Sequence, residues 1–240
     1  MTAIRKPASG EAGLWLRWVL ANAIGEAIGL GGAVLLGAAG ARYVGEGTGF
    51  LAVVGLAALA VLAGTLIEGS VVGTAQWLVL KKPLSQMRWR VWVLATGAGA
   101  FLAWTLGMIP STLLSLGSGG GAPPAEPART TVLGLAFLMG LVLGPILGLA
   151  QWLALRRFVE RAALWMPANA LAWAFGMVIV FAGIDLALGE GFGPGTVTIL
   201  VVTLLLCGAT VGAIHGLALV WLLRPVRRLD PQDAGRFRQH

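Results

Sequence analysis

Charged residues are scarce in this 240-residue chain. Asp, Glu, Lys and Arg together make up 11% of the sequence, whereas hydrophobic residues make up 58%. Soluble domains carry roughly 25% charged residues, and the deficit here extends along the whole chain. A soluble globular fold is therefore excluded as the main architecture, and we expect most of the chain to face lipid or other apolar helices.

Cysteine and histidine are also nearly absent. The one cysteine, Cys207, lies inside an apolar run, so neither a disulfide within the chain nor a cysteine-based metal cluster can form. The two histidines, His215 and His240, are too few for a multi-histidine haem or metal site. The sequence also lacks phosphate-binding, serine-nucleophile and zinc-protease motifs. We therefore expect no enzyme activity, no cofactor and no resident metal.

Six long apolar runs are present instead. A membrane-spanning helix needs about 20 mainly apolar residues, and each run reaches that length. No stretch remains for a soluble domain of even ~50 residues, so residues 1–240 are expected to form a single all-α membrane domain. A signal peptide is a weaker interpretation of the first run, because the run is too long and contains Asn22 and Glu26. The predicted spans cover residues 15–40, 50–80, 91–116, 131–155, 162–188 and 196–223.

The distribution of basic residues predicts how these spans are oriented. The net charge of +7 would suggest nucleic acid as a partner in a soluble protein. Here, however, the Lys and Arg residues concentrate on one side of the predicted bundle. Of 17, only Arg42 and Arg129 lie in the connections on the other side. The positive-inside rule then makes residues 1–14 and 224–240 cytoplasmic tails, and no nucleic-acid partner is expected.

One motif recurs in the even-numbered spans. Two glycines lie four residues apart, and Gln or His follows three residues after the second glycine. A Trp followed four residues later by Asn or Thr recurs in the odd-numbered spans. The repeating unit is therefore a helical hairpin, present at residues 15–80, 91–155 and 162–223. Since all three hairpins have the same orientation, we expect six helices with pseudo-threefold symmetry about an axis along the membrane normal.

The motif also carries a resemblance. The segments 69–82 and 144–157 have the pattern Gly-xxx-Gly-xx-Gln-Trp-Leu-x-Leu followed by two basic residues. The chain resembles uncharacterised bacterial multi-span proteins that repeat this pattern, mainly over residues 64–180. The resemblance implies a location in the bacterial inner (plasma) membrane, and it implies no function. Mitochondrial carriers share the general plan of three hairpins, but their Pro-x-Asp/Glu-x-x-Lys/Arg signature is missing here.

The repeated residues have a packing interpretation. Glycines four apart on one helix face let a neighbouring backbone approach closely, and a Gln seven residues after the first glycine points nearly the same way. Trp77 and Trp152 lie about one turn from a basic end, at the depth of the aromatic belt. The residues assigned to helix packing are Gly69, Gly73, Gly144, Gly148, Gly208 and Gly212.

Two acids inside the spans favour a functional site. Glu26 lies nine residues after Arg17, or ~13 Å inward, and Glu68 lies thirteen residues before Lys81, or ~20 Å inward. In a hydrocarbon core of ~30 Å, both fall near the midplane of the first hairpin. Placing a charged acid at this depth of the membrane costs at least ~2.5 kcal/mol of free energy. Such an acid is therefore interpreted by default as a functional residue.

The predicted proton, cation or solute site adds the polar residues of the cytoplasmic half to these acids. It consists of Glu26, Glu68, Asn22, Gln76, Gln151, Asn169 and His215. Three interpretations of the acids stay open, which are a proton or cation role, neutral hydrogen-bonded structure, and pairing with another subunit. The leading hypothesis is a transporter or channel-like protein, and the alternative is a non-transporting accessory subunit of a larger membrane complex. The expected partners are the lipid bilayer, a small ion or solute, and a membrane protein or second copy of the chain.

Overall fold

The computed structural model describes residues 9–44, 49–117, 127–189 and 193–224, and all regular secondary structure within these ranges is helical. Six segments are long and apolar enough to cross a membrane, by length and composition. This number agrees with the sequence prediction and supports a multi-pass membrane protein. The segments are Gly10–Arg42, Phe50–Leu80, Trp89–Gly117, Arg129–Leu155, Ala162–Gly189 and Pro194–Leu222.

In the part of the chain that the structure describes, seven α-helices build these six spans. They are α1 (Ser9–Val44), α2 (Phe50–Ala63), α3 (Gly69–Leu80), α4 (Trp89–Gly117), α5 (Arg129–Leu155), α6 (Trp165–Gly189) and α7 (Pro194–Leu222). The first helix begins at Ser9, within the segment 1–14 predicted as a tail, and Glu11 lies in its first turn, where the helix dipole favours an acid. The predicted tail beyond Arg224 and most of the glycine-rich connections lie outside the described residues.

The second span is interrupted by one turn of π-helix, Gly64–Glu68, between α2 and α3. A π-turn accommodates an extra residue and is frequent at functional sites. The Thr65 hydroxyl donates a hydrogen bond of 2.7 Å to the Val61 carbonyl oxygen at this point. The π-turn ends at Glu68, so the irregular backbone includes one of the two predicted midplane acids.

The six spans contact one another in chain order and close into a ring. Each span packs against the spans that precede and follow it, and α7 packs against α1. Close packing depends on glycine, because a Cβ atom at Gly144 would collide with the Asn169 carbonyl oxygen, and one at Gly208 would collide with that of Asn22. The glycine faces therefore join each even-numbered span to the next odd-numbered span around the ring.

The polarity of the bundle is the reverse of that of a soluble protein. Large apolar side chains such as Leu35, Leu51 and Leu188 are exposed on the outside, as expected of a surface in contact with lipid. Among the described residues, nine polar or charged side chains are buried in the interior: Asn22, Glu26, Glu68, Gln76, Thr96, Gln151, Asn169, Thr203 and His215. In a membrane such residues face the bundle interior and mark functional sites or interhelical bonds.

Candidate functional site: a buried polar ring and a two-acid cavity

Three indole rings close the end of the bundle at which α3, α5 and α7 finish, called here the basic end because Lys81, Arg156 and Arg224 follow those helices. Trp18, Trp92 and Trp165 are all fully buried. The ring centroids of Trp18 and Trp165 are 6.0 Å apart, and those of Trp92 and Trp165 are 6.4 Å apart, both in edge-to-face geometry. Such pairs add about 0.5–1.5 kcal/mol beyond area burial. Three buried leucines pack in the same cluster: Leu80, Leu155 and Leu219.

Each of these indoles donates a hydrogen bond to the Gln or His of the recurring motif. Trp92 Nε1 donates to Gln76 Oε1 over 3.1 Å, and Trp165 Nε1 donates to Gln151 Oε1 over 2.9 Å. The third bond, of 2.8 Å, runs from Trp18 Nε1 to His215 Nδ1. The repeated Trp and Gln or His positions are thus partners across adjacent spans.

The two glutamines connect the first four spans with further hydrogen bonds. Gln76 Nε2 donates to Asn22 Oδ1 over 2.8 Å. Gln151 Nε2 lies 3.1 Å from Gln76 Oε1 and 3.0 Å from Thr96 Oγ1 and donates to both. Each bond across helices in a membrane contributes about 0.6–2 kcal/mol. With the indole bonds included, each glutamine links its own helix to three others.

Six side chains form what is called here the polar ring: Asn22, Gln76, Thr96, Gln151, Asn169 and His215. The pair His215 and Asn169 lacks the hydrogen bond that the other two pairs make. Since His215 Nδ1 accepts the Trp18 N–H, the imidazole is neutral and carries its proton on Nε2. Asn169 lies on α6, where its Nδ2 donates to the Trp165 carbonyl oxygen over 2.8 Å. Asn169 Oδ1, which is buried, has no hydrogen-bond partner among the described residues. The position that accepts from glutamine in Asn22 and Thr96 is therefore unused in Asn169.

A narrow cavity lies beside the polar ring, on the side away from the three indoles. Counted as the positions open to the centre of a water-sized sphere, its volume is about 10 Å³, close to the minimum that holds one water molecule. Each predicted hairpin contributes one apolar residue at the same sequence position to its wall: Val72, Leu147 and Val211 lie four residues before the Gln or His of each motif. The remaining polar lining consists of Asn22, Glu26, Glu68, Gln76, Thr96, Gln151 and His215.

Both predicted acids reach this cavity. Glu26 is 1% exposed and Glu68 is 6% exposed. Glu68 Oε2 accepts a hydrogen bond of 2.8 Å from Trp104 Nε1 on α4. Glu26 Oε2 is buried and has no hydrogen-bond partner in the described part of the chain. The two carboxyl groups therefore share one cavity but differ in their partners.

Glycines bring the two acidic segments together. A Cβ atom added to Gly25 would lie 3.3 Å from Val72 Cα, and one added to Gly29 would lie 2.9 Å from Glu68 Cα. The backbones of α1 and the second span thus touch on both sides of Glu26. On the other side of Glu68, a Cβ atom at Gly64 would collide with the Trp104 indole. Gly64 therefore makes room for the side chain that donates to Glu68.

The structure brings most of the predicted site residues together. Six of the seven line the cavity, and Asn169 is buried beside the Trp165 backbone, outside the cavity wall. The packing residues Gly73, Gly148 and Gly212 would each place a Cβ atom within 3.3 Å of a neighbouring helix backbone. The predicted anchors Trp77 and Trp152 lie next to cations, with Lys81 Nζ 5.3 Å and Arg156 Cζ 4.9 Å from the ring centroids.

Sequence reasoning missed the donors at this site. The sequence shows the three buried tryptophans as repeat positions, but it does not predict that they donate hydrogen bonds to the polar ring. It also does not assign Thr96 or Trp104 to the site. One signal was available: Trp18, Trp92 and Trp165 each precede Asn or Thr by four residues. That Asn or Thr side chain donates to the Trp carbonyl oxygen on its own helix in all three cases.

Neither a search for metal-binding groups nor a comparison with known proteins assigns a function to this site. Among the described residues there is no group of three or more His, Cys, Asp or Glu side chains placed to hold a metal ion. No protein-family model matches the chain, and no curated protein or solved structure matches it significantly. A function must therefore be argued from the two acids and the cavity they share.

Proposed function

We propose that this protein is a transporter or channel-like protein of the bacterial inner membrane that binds a proton or small cation between Glu26 and Glu68. The observation that carries the proposal is the Glu26 carboxyl group, which is buried, faces the cavity it shares with Glu68, and leaves Oε2 without a partner among the described residues. A buried acid at membrane depth is expensive. Packing does not require it, because Ala100 and Trp173 line the cavity at the equivalent positions of the other hairpins.

The proposal includes three tandem hairpins in pseudo-threefold arrangement. The contacts that support it are the three Trp to Gln or His bonds and the three glycine faces, each repeated once per hairpin. In this arrangement the cavity lies near the symmetry axis, where a transported ion would pass. The indole cluster closes the basic end, so the structure corresponds to a state shut towards that side.

Flux measurements in proteoliposomes test the proposal. The wild-type chain should produce a pH-dependent flux of protons or a small cation, and Glu68→Gln should reduce it at least tenfold. Glu11→Gln is the matched control, since Glu11 lies at the helix end and pairs with Arg224 over 2.9 Å. Wild-type vesicles that stay silent across a panel of ions and solutes would reject the transporter.

Orientation is tested separately with introduced cysteines. Because the native Cys207 is fully buried, an impermeant maleimide should label only a new exposed cysteine. The proposal places both termini in the cytoplasm. Thr130→Cys should then be labelled from outside intact cells, and Ser85→Cys only after the membrane is opened. The opposite result would invert the topology.

The alternative function, a non-transporting accessory subunit, is favoured by the size of the cavity. A space for about one water molecule and a closed indole cluster also fit a rigid membrane module. Purification in mild detergent distinguishes the two functions. A partner that co-purifies at fixed stoichiometry, together with silent vesicles, would favour the accessory subunit.

A further inference from the structure

We infer that the ligand of the cavity is a proton, carried by the Glu26 carboxyl group and shared with Glu68, and that an alkali or divalent metal ion does not bind there. The inference deepens the proposed function and rests on it. The bond made is the O–H bond of the carboxyl group, formed from one carboxylate and one proton, with no other reactant.

The neutral oxygens of the cavity wall are already engaged as acceptors. Gln76 Oε1 accepts from Trp92 Nε1 and from Gln151 Nε2, which uses both of its lone pairs. Asn22 Oδ1 accepts from the Gln76 amide, and Thr96 Oγ1 accepts from the Gln151 amide. Each of these oxygens has the positive end of an N–H dipole next to it. A metal ion entering the cavity would have to break a bond to use Gln76 Oε1, and at Asn22 Oδ1 and Thr96 Oγ1 it would meet the positive end of an N–H dipole.

The two acids alone cannot coordinate a dehydrated metal ion. Ca²⁺ takes 6–8 oxygen ligands and Mg²⁺ requires an octahedral set, while potassium filters replace the hydration shell with rings of carbonyl oxygens. Glu26 and Glu68 supply at most four oxygens, and one of them, Glu68 Oε2, is bonded to Trp104. The cavity volume of about 10 Å³ leaves space for about one water molecule, so a hydrated ion does not fit.

A proton can neutralise one of the two carboxylates, and it does not need the space that a hydrated metal ion would occupy. Between Arg17 and Arg42 in the first span, and between Phe50 and Leu80 in the second, the sequence contains no Lys or Arg. The other titratable side chains buried next to the acids are Cys207 and His215 on α7. The imidazole of His215 is neutral because Nδ1 accepts an N–H. One proton would remove one of two like charges that lie close together in an apolar environment.

The hydrogen bonds indicate which acid carries the proton. An N–H donor stabilises a carboxylate, and Trp104 Nε1 gives one to Glu68. Glu26 Oε2 receives no such donor from the described residues. A protonated Glu26 can instead act as the donor towards the cavity and Glu68. Glu68 is thus the carboxylate of the pair and Glu26 the carboxylic acid.

Infrared difference spectroscopy on the purified full chain tests this assignment without any flux measurement. At neutral pH the wild type should show the C=O stretch of one protonated, buried carboxyl group. Glu26→Gln should remove this band, Glu68→Gln should shift it and retain it, and the control Glu11→Gln should leave it unchanged. Adding NaCl, KCl or CaCl₂ at constant pH should not reduce it.

Three results would overturn the inference: no protonated band in the wild type, a band that survives Glu26→Gln, or a band that falls as Na⁺, K⁺ or Ca²⁺ is added. If Glu26→Gln does not fold, Glu26→Asp serves instead and must shift the band. The two proposals fail separately. Silent vesicles with the band intact reject transport alone, whereas a sodium or potassium flux without the band rejects the proton assignment alone.

Discussion

The first and second predicted hairpins, residues 15–80 and 91–155, can be compared position by position. In both, a glutamine follows a pair of glycines, accepts a hydrogen bond from an indole of the next span, and donates to Asn22 or Thr96 on its hairpin partner. The shared contacts are therefore those that hold neighbouring helices together.

The first and second predicted hairpins differ at positions that lie further from the basic end of the bundle. Glu26 lies four residues after Asn22, whereas Ala100 lies four residues after Thr96, and both line the cavity. Glu68 lies eight residues before Gln76, whereas Leu143 lies eight residues before Gln151. The second predicted hairpin makes its glutamine and glycine contacts without acids at these positions. The contacts that the two segments share therefore do not depend on Glu26 or Glu68.

The largest effect is expected from replacing both acids with the residues of the second hairpin. Glu26→Ala combined with Glu68→Leu should reduce flux to the level of empty vesicles. The melting temperature should stay equal or rise, because a buried charge that costs at least ~2.5 kcal/mol is removed. Flux assays and thermal unfolding in detergent measure the two effects. If the double variant fails to fold, the acids belong to the packing scheme and the comparison is wrong.

A smaller but still large effect is expected at the glycine faces. Gly144→Ala should lower the free energy of unfolding by about 1–3 kcal/mol, since its Cβ atom would collide with the Asn169 backbone. Gly69→Ala in the first hairpin should behave alike, because its Cβ atom would lie 2.9 Å from Gly97 Cα. Gly134→Ala is the control on the same helix as Gly144, with no atom within 4 Å of its Cβ position. Equal stability of all three variants would contradict the packing role.

The two glutamines should be worth less than the glycines and should be coupled. Gln76→Leu and Gln151→Leu should each lower the free energy of unfolding by about 0.6–2 kcal/mol. Because the residues bond to each other over 3.1 Å, the double variant should lose less than the sum of the two single losses. A double-variant cycle of unfolding free energies measures this coupling. Strict additivity would mean that the bond contributes nothing.

The smallest effect extends the comparison to the third hairpin. His215→Gln restores the residue of the first two motifs, and its amide should donate to the unused Asn169 Oδ1. We expect a gain of about 0.6 kcal/mol in the free energy of unfolding, with the Trp18 bond retained. Chemical denaturation detects a change of this size. A loss of stability would mean that His215 has a packing requirement that glutamine cannot meet.

The features of this architecture that were predictable from the sequence follow from the length of the apolar runs and from the spacing of residues along a helix. Apolar length predicts the six spans, and glycines four apart predict close contact with a neighbouring backbone. Burial of Gln76 and Gln151 follows from their position on the glycine face. Placement of Glu26 and Glu68 at one depth follows from counting residues inward from the basic ends.

The parts that were not predictable depend on contacts between distant residues. A buried tryptophan such as Trp92 and a tryptophan beside a cation such as Trp77 look alike in an apolar run, and only packing distinguishes them. The π-turn at Gly64–Glu68 has no local signature in the sequence, and its first residue packs against the distant Trp104 indole. Asn169 occupies the same repeat position as Asn22, yet it lies outside the cavity wall, which the sequence pattern does not reveal.

The three edge-to-face tryptophans at the basic end have a practical consequence for spectroscopy. Indoles at centroid distances of 6.0 and 6.4 Å couple their electronic transitions, which gives an exciton signal in near-ultraviolet circular dichroism. A change of packing that separates one ring from the others would weaken this signal. The protein therefore carries its own optical reporter of the packing at this end, which needs no attached dye.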